Sequence, residues 1–135
     1  AARTLQEVVS SEREELMDFI RENQITGVVF LTGDVHHSAL YRRQLSTDGP
    51  WVYEITSSPL SSSSWAVEKS DKAKDPYVIP GTLVGDQNFV TVAVTGQGAD
   101  RALTLTCTDK QGATRFTHTI KATDLGYVPP RRRAP

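Results

Sequence analysis

The segment best suited to chemistry is Gly33-Asp34-Val35-His36-His37, which places one carboxylate and two imidazoles close together. Carboxylate oxygens and imidazole nitrogens are common ligands of divalent metal ions. In an extended loop, residues two apart point the same way, so Asp34 and His36 would converge while Val35 packs inward. Gly33 would allow the tight turn that presents them. Two donors do not complete a metal site, so a structural role stays equally open at this point.

The apolar run that precedes this segment, Gly27–Thr32, shows no alternation of polar and apolar residues. Such a run is typical of a parallel strand that is covered on both faces. Upstream, Ser10 or Ser11 with Glu14 forms a capping-box pattern. A helix with an apolar stripe packed on the sheet is therefore expected from about Ser11 to Glu22. Helix followed by buried strand is half of an α/β unit, in which ligands gather at the carboxyl ends of the strands, so the position favours a functional role.

The rest of the chain has the pattern of β-strands. A hairpin is predicted from two strands, Ala39–Leu45 and Trp51–Thr56, joined by a turn at Asp48-Gly49-Pro50. Apolar residues at every second position predict further strands at Gly81–Gly85, Val90–Val94, Leu103–Cys107 and Phe116–Ile120. The fold class expected is α/β, and within this segment α+β: one helix and one buried strand, followed by an antiparallel β meander.

The polar connections are expected at both ends and in the middle of the chain. Residues 57–80 form a long polar, low-complexity loop, expected to be mobile or covered by a partner. Within it, the Ser61–Ser64 run has no nearby base and no elbow motif, which indicates a solvated loop rather than a nucleophile. Residues 1–10 and 122–135 are expected to be extended ends.

Composition is that of one globular domain or a large piece of one, with 135 residues of which 38% are hydrophobic. The formal net charge is -1, so no positive field exists to concentrate nucleic acid. No stretch is apolar enough to suggest a membrane span. The single cysteine, Cys107, excludes an internal disulfide and is expected to act as a small hydrophobe.

Three separated stretches, Ile25–Leu40, Tyr53–Leu60 and Pro80–Phe89, resemble in order the C-terminal part of alkaline phosphatase D-like enzymes. These enzymes belong to the calcineurin-like metallophosphoesterases, whose last motif is usually Gly-His-x-His, with Asp in place of the first His in this branch. Position by position, Gly33 matches the Gly, Asp34 replaces the first ligand His, and His36 matches the second. The likeness extends from the helix to about Lys121.

The resemblance implies that Asp34 and His36 bind metal, with two ions of the Fe, Ca, Zn or Mn class in the complete enzyme. It implies a phosphatase or phosphodiesterase that hydrolyses a phosphate ester with a metal-activated water, built on a metallophosphoesterase β-sandwich. His37 has no counterpart in the motif and is assigned a contact to phosphate or to the leaving group. A periplasmic or extracellular location is expected from the family alone.

The earlier motifs of the family, which bring a bridging aspartate, an Asn-His pair and further ligands, are absent. Residues 1–135 are therefore expected to be the C-terminal part of a longer enzyme, inactive alone. The missing N-terminal portion would be its partner, and self-association is a further expectation. The alternative is a stand-alone β-rich binding or structural module without catalysis.

The other candidate residues have structural interpretations. His118 alternates with Phe116 and Ile120, which favours a core-edge histidine, or a surface one if the register is reversed. The large aromatic residues are expected to pack in the fold rather than line a substrate entrance; these are Trp51, Tyr53 and Trp65.

Overall fold

The chain folds as one helix and two three-stranded sheets in a computed structural model that describes residues 5–130, with side chains from residue 10 onward. The helix is α1, Leu5–Glu22. The strands are β1 Val29–Thr32, β2 Ala39–Gln44, β3 Trp51–Thr56, β4 Asn88–Thr95, β5 Ala102–Asp109 and β6 Thr114–Lys121. Short 3-10 helices span Val67–Lys69, Asp71–Lys74 and Gly98–Asp100. The mixed α+β class expected from the sequence is confirmed.

Helix α1 begins at Leu5, before the predicted start at Ser11. The expected extended end is therefore wrong for residues 5–10, while residues 1–4 lie outside the described part. No glycine or proline interrupts this stretch, so the helix continues through the serines, and Ser11 Oγ donates to Glu15 within it (3.5 Å) instead of capping it. The predicted end is confirmed. Gln24 adopts a left-handed φ of 52°, and the Ile25 amide closes the last turn on the Ile20 carbonyl (2.9 Å).

In the first sheet the strand order is β1-β3-β2, with β1 parallel to β3 and β2 antiparallel to β3. The predicted hairpin is thus confirmed, and it places β3 in the centre. Strand β1 is paired on one side only, and Leu31 is 69% exposed. The expectation that β1 is covered on both faces is wrong within residues 5–130, because none of its four residues is buried and two of them are exposed.

The second sheet is the antiparallel meander β4-β5-β6, as predicted. The strand expected at Gly81–Gly85 does not form. That segment makes only an isolated bridge between Val84 and Ser38, with backbone hydrogen bonds of 2.9 and 2.8 Å. Gly81 has a left-handed φ of 83°, which is incompatible with a continuous strand. The segment instead connects the two sheets.

The core lies between the two sheets. Leu40, Tyr53 and Ile55 from the first sheet belong to the same buried cluster as Leu105 and Ile120 from the second. The cluster also contains Val84, Cys107, Phe116 and Leu125. Burial raises the pKa of the Cys107 thiol to about 11, so it behaves as the small hydrophobe that the sequence predicted.

The polar loop at residues 57–80 contains no strand, but it is tied to the rest of the chain. The Pro59 carbonyl accepts from the Asn88 amide (3.2 Å), and the Ser62 carbonyl accepts from Gln87 Nε2 (3.0 Å). Val67 is fully buried. The loop is therefore anchored to the start of the second sheet rather than fully solvated, because these hydrogen bonds and the buried Val67 fix it.

The second predicted extended end is also partly wrong. Residues 122–126 form turns, and Leu125 is buried in the core, with its carbonyl accepting from the Gly27 amide (2.8 Å). Residues 131–135 lie outside the described part. Within residues 5–130, no helix is both long and apolar enough to span a membrane.

Candidate metal centre at the carboxyl end of strand β1

Strands β1 and β3 run parallel, so their carboxyl ends meet at one edge of the first sheet. Thr32 pairs with Thr56 there, and the Ser57 amide donates to the Thr32 carbonyl (3.0 Å). The loop with Asp34 and His36 leaves the sheet directly beyond this pair. This is the edge at which ligands bind in sheets with parallel strands.

The backbone of this loop is not extended. Asp34 has a φ of 73° and His36 a φ of 54°, both in the left-handed region, whereas Gly33 does not have a positive φ. For a residue with a side chain this conformation costs about 1–2 kcal/mol. The extended geometry used to predict convergence of Asp34 and His36 therefore does not apply, and the backbone at Gly33 does not itself require glycine. Their convergence on one metal stays a prediction.

Exposure divides the loop into two parts. Asp34, Val35 and His36 are exposed, while His37 and Ser38 are buried. The two candidate donors are thus available at the surface, and the residues that follow them anchor the segment inside the protein.

His37 is the first anchor, with only 1% of its surface exposed. Its Nδ1 lies 3.0 Å from the Val35 carbonyl and its Nε2 lies 3.1 Å from the Tyr41 hydroxyl. A carbonyl only accepts, so Nδ1 carries the proton and Nε2 accepts from Tyr41. Burial lowers the pKa of His37, which keeps the ring neutral near pH 7. The predicted contact of His37 to phosphate stays a prediction, and it requires the ring to leave both partners.

Ser38 is the second anchor and connects the loop to the second sheet. Its hydroxyl donates to Asn88 Oδ1 (2.6 Å), which also accepts from the Cys107 thiol (3.3 Å). Asn88 in turn donates through Nδ2 to the Asp86 carbonyl (2.7 Å). The buried polar groups satisfy one another, so the base of the loop is fixed to both sheets.

Trp65, in the polar loop at residues 57–80, contacts both His36 and His37. Its indole N–H donates to the His36 carbonyl (2.7 Å), and its ring meets His37 edge-on with centroids 6.0 Å apart. Sequence reasoning assigned Trp65 only to packing and did not select Tyr41. The one available signal was a large aromatic residue inside a serine-rich stretch.

A cleft of about 800 Å³ adjoins the loop between α1, the first sheet and residues 70–77. Tyr41 and Trp65, which bond the Asp34–His37 loop, form part of its wall, but Asp34 and His36 do not line it. Its charged lining is mixed and consists of Arg13, Arg42, Arg43, Glu54, Asp71, Lys72, Lys74 and Asp75.

The donor chemistry of Asp34 and His36 fits a divalent metal ion, since it combines a carboxylate with an imidazole. Across the part of the chain that the structure describes, no group of three or more His, Cys, Asp or Glu is arranged to hold a metal. His118 lies on β6, half-buried, with its ring 6.3 Å from that of Tyr53, which confirms the core-edge interpretation. Metal binding by Asp34 and His36 stays a prediction.

Comparison with known proteins agrees with the resemblance found in the sequence. The family model of the PhoD-like phosphatases matches residues 6–125, which is most of the chain. Comparison with curated proteins and with solved structures gives no match. The match spans α1, the Asp34–His37 loop and both sheets, and the chain therefore belongs to the PhoD-like phosphatase family.

Proposed function

We propose that this chain contributes Asp34 and His36 to the dinuclear metal centre of a phosphoric ester hydrolase. The observation that supports the proposal most directly is the loop itself: two exposed donors held in left-handed conformations on a buried base. Backbone strain of this kind persists only where the surroundings impose it, and it is concentrated at functional sites. Asp48 is left-handed in an ordinary turn, so the conformation alone does not mark a site; at Asp34 and His36 it occurs in two donors at the carboxyl end of a parallel strand.

In this proposal the protein holds and orients, and the metal ions supply the chemistry. Bound ions of the Fe, Ca, Zn or Mn class would lower the pKa of a water and offset charge on the phosphoryl group. Asp34 would supply a carboxylate oxygen and His36 an imidazole nitrogen as ligands. His37 is buried with both ring nitrogens hydrogen-bonded, so in this arrangement it would hold the loop in place. No nucleophilic serine is needed.

We further propose that the chain is inactive alone, because two ligands cannot hold two ions. A dinuclear site needs several ligands on each metal and a group that bridges them. The remaining ligands would come from the N-terminal portion of a longer enzyme. Strand β1 has a free edge in the described part of the chain, beside which such a portion has room to pair.

The test compares Asp34→Asn and His36→Gln with a matched control, Asp48→Asn. Asp48 is also exposed and left-handed, with a φ of 57°, but it lies in the β2–β3 turn. Mn²⁺ is titrated into the chain, and NMR line broadening identifies the residues near the ion. Broadening centred on residues 34–36 is expected in the parent and in Asp48→Asn, and it should be lost in the two loop variants.

A phosphate-ester assay with added divalent and ferric ions accompanies the titration. Unchanged broadening in Asp34→Asn would overturn the ligand assignment, and no broadening in the parent would favour the β-rich module without catalysis. Steady turnover by the 135-residue chain that disappears in Asp34→Asn would show that the site is complete within it.

A further inference from the structure

We infer that Trp65 is a positioning residue that holds the backbone of His36 so that its imidazole is presented to the metal. The inference rests on the proposed role of His36 as a ligand. Trp65 does not act on the imidazole directly. It acts through the main-chain carbonyl of His36, which accepts the indole N–H at 2.7 Å.

Trp65 is itself held firmly enough to serve this purpose. Its amide donates to the Gly85 carbonyl (3.1 Å), and its own carbonyl accepts from the Val67 amide (2.9 Å). A Cβ at Gly85 would collide with the Trp65 carbonyl oxygen. The close approach of the two backbones thus requires glycine at position 85. It fixes the main chain of Trp65, from which the indole extends to the loop.

The hydrogen bond from Trp65 is made to the carbonyl of a left-handed residue, His36. His36 has a φ of 54°, in the left-handed region that residues with a side chain seldom adopt. The neighbouring imidazole of His37 is bonded to the Val35 carbonyl and meets the Trp65 ring edge-on. His36 is therefore held through its carbonyl by Trp65 and through its neighbours by His37. Removal of the indole N–H leaves one of these two supports.

The exposure of Trp65 separates positioning from packing. A tryptophan used only to fill the core would be buried, but 41% of Trp65 is exposed. Its indole N–H nevertheless donates to the main-chain carbonyl of His36. A phenylalanine at this position keeps an aromatic ring beside His37 but loses the N–H donor and part of the indole surface, a loss of surface that the Trp51→Phe control shares.

The test variant is Trp65→Phe, and the matched control is Trp51→Phe, because Trp51 lies under Arg42 (4.5 Å) in the β2–β3 hairpin. The first readout needs no metal: φ-dependent backbone couplings of Asp34 and His36 in the metal-free chain. Left-handed values are expected in the parent and in Trp51→Phe, with averaging at His36 in Trp65→Phe. The second readout is the Mn²⁺ concentration that broadens the His36 signals by half, which should rise about tenfold in Trp65→Phe, equivalent to about 1.4 kcal/mol.

Unchanged His36 couplings in Trp65→Phe would overturn the positioning role. If Mn²⁺ broadens no loop residue in the parent, the proposed function fails, while the coupling readout still decides whether Trp65 controls the backbone. Should Trp65→Phe unfold, replacement of Trp65 by benzothienylalanine, which keeps the shape without the N–H, repeats both measurements under the same criteria.

Discussion

At the scale of single residues, Asp34 and His36 combine exposure with backbone strain, whereas His37 and Ser38 combine burial with satisfied hydrogen bonds. Adjacent residues thus have opposite roles. The buried pair stabilises the fold. The exposed pair reduces stability but leaves a carboxylate and an imidazole accessible at the surface. Such a compromise between stability and function is common at active sites.

The first prediction tests that compromise with Asp34→Gly. Glycine adopts the left-handed region without the strain of about 1–2 kcal/mol, but it adds about 0.5–1 kcal/mol of unfolded-chain entropy. The free energy of unfolding of the metal-free chain should therefore rise by about 0.5–1 kcal/mol, measured by urea denaturation. Asp48→Gly, at a φ of 57°, should gain a similar amount, but only Asp34→Gly should lose the Mn²⁺ response. A clear loss of stability in Asp34→Gly would contradict the assigned strain.

The second prediction concerns pH and the two partly or fully buried histidines. Burial lowers the pKa of His37 and of His118 below the ordinary value of 6.5, and the Arg42 cation lowers that of His118 further. As pH falls through 6.5, the unfolded chain takes up protons that the folded chain does not, so the free energy of unfolding decreases.

The measurement is urea unfolding at about pH 7.5 and about pH 5.5. The parent should be less stable at the lower pH. His37→Gln and His118→Gln should each show a smaller difference between the two conditions, whatever their stability at neutral pH. Equal pH dependence in both variants and the parent would argue that neither histidine is buried in its neutral form.

At the scale of elements, the position of the Asp34–His37 loop depends on two segments far from it in sequence. The polar loop at residues 57–80 brings Trp65 to His36, and the 81–87 segment supports Trp65 through Gly85 and Ser38 through Val84. None of these segments is a strand. Their backbone hydrogen bonds and close contacts, rather than regular pairing, determine where the loop lies.

The third prediction is that Gly85→Ala destabilises the chain and displaces Trp65. The added Cβ would collide with the Trp65 carbonyl oxygen, and overpacking of this kind costs about 1–3 kcal/mol. Gly33→Ala is the control, since its Cβ would meet its nearest neighbours at an ordinary 3.7 Å. Urea denaturation measures the first effect and a shift of the tryptophan emission the second. If the two alanine variants are equally stable, the tight approach at Gly85 does not exist in solution.

At the scale of the whole molecule, one core joins the two sheets, but the first sheet ends at β1 without cover. The described part of the chain shows Leu31 with 69% exposure at that edge. An unpaired strand with an exposed apolar side chain favours pairing with another chain. We therefore expect the isolated chain to self-associate when no partner segment occupies the edge.

The fourth prediction tests this edge with Leu31→Lys, because a charge on an edge strand opposes pairing. Sedimentation should show concentration-dependent association of the parent and a shift towards monomer in the variant. Leu60→Lys is the control, as Leu60 is 74% exposed but lies in the polar loop. A parent that stays monomeric at high concentration would indicate that β1 needs no neighbour.

The sequence by itself determined the local features of this protein. The helix end, the β2–β3 hairpin and the meander β4–β6 follow from turn residues and from apolar alternation, which depend on near neighbours in the chain. Asp34 and His36 were selected from residue type and from their place after an apolar run, together with the family resemblance. These features need no knowledge of distant contacts.

Tertiary structure alone decided how the loop is held and how β1 is covered. The left-handed backbone at Asp34 and His36, the bond from Trp65 and the burial of His37 against Tyr41 all depend on segments brought together by folding. Residues 81–85 have a strand pattern but form only an isolated bridge, between Val84 and Ser38. Strand β1 has a buried-strand pattern but one free edge. In each case the local pattern indicates which conformations a segment can adopt. Only its neighbours in space determine which of these conformations has the lowest free energy.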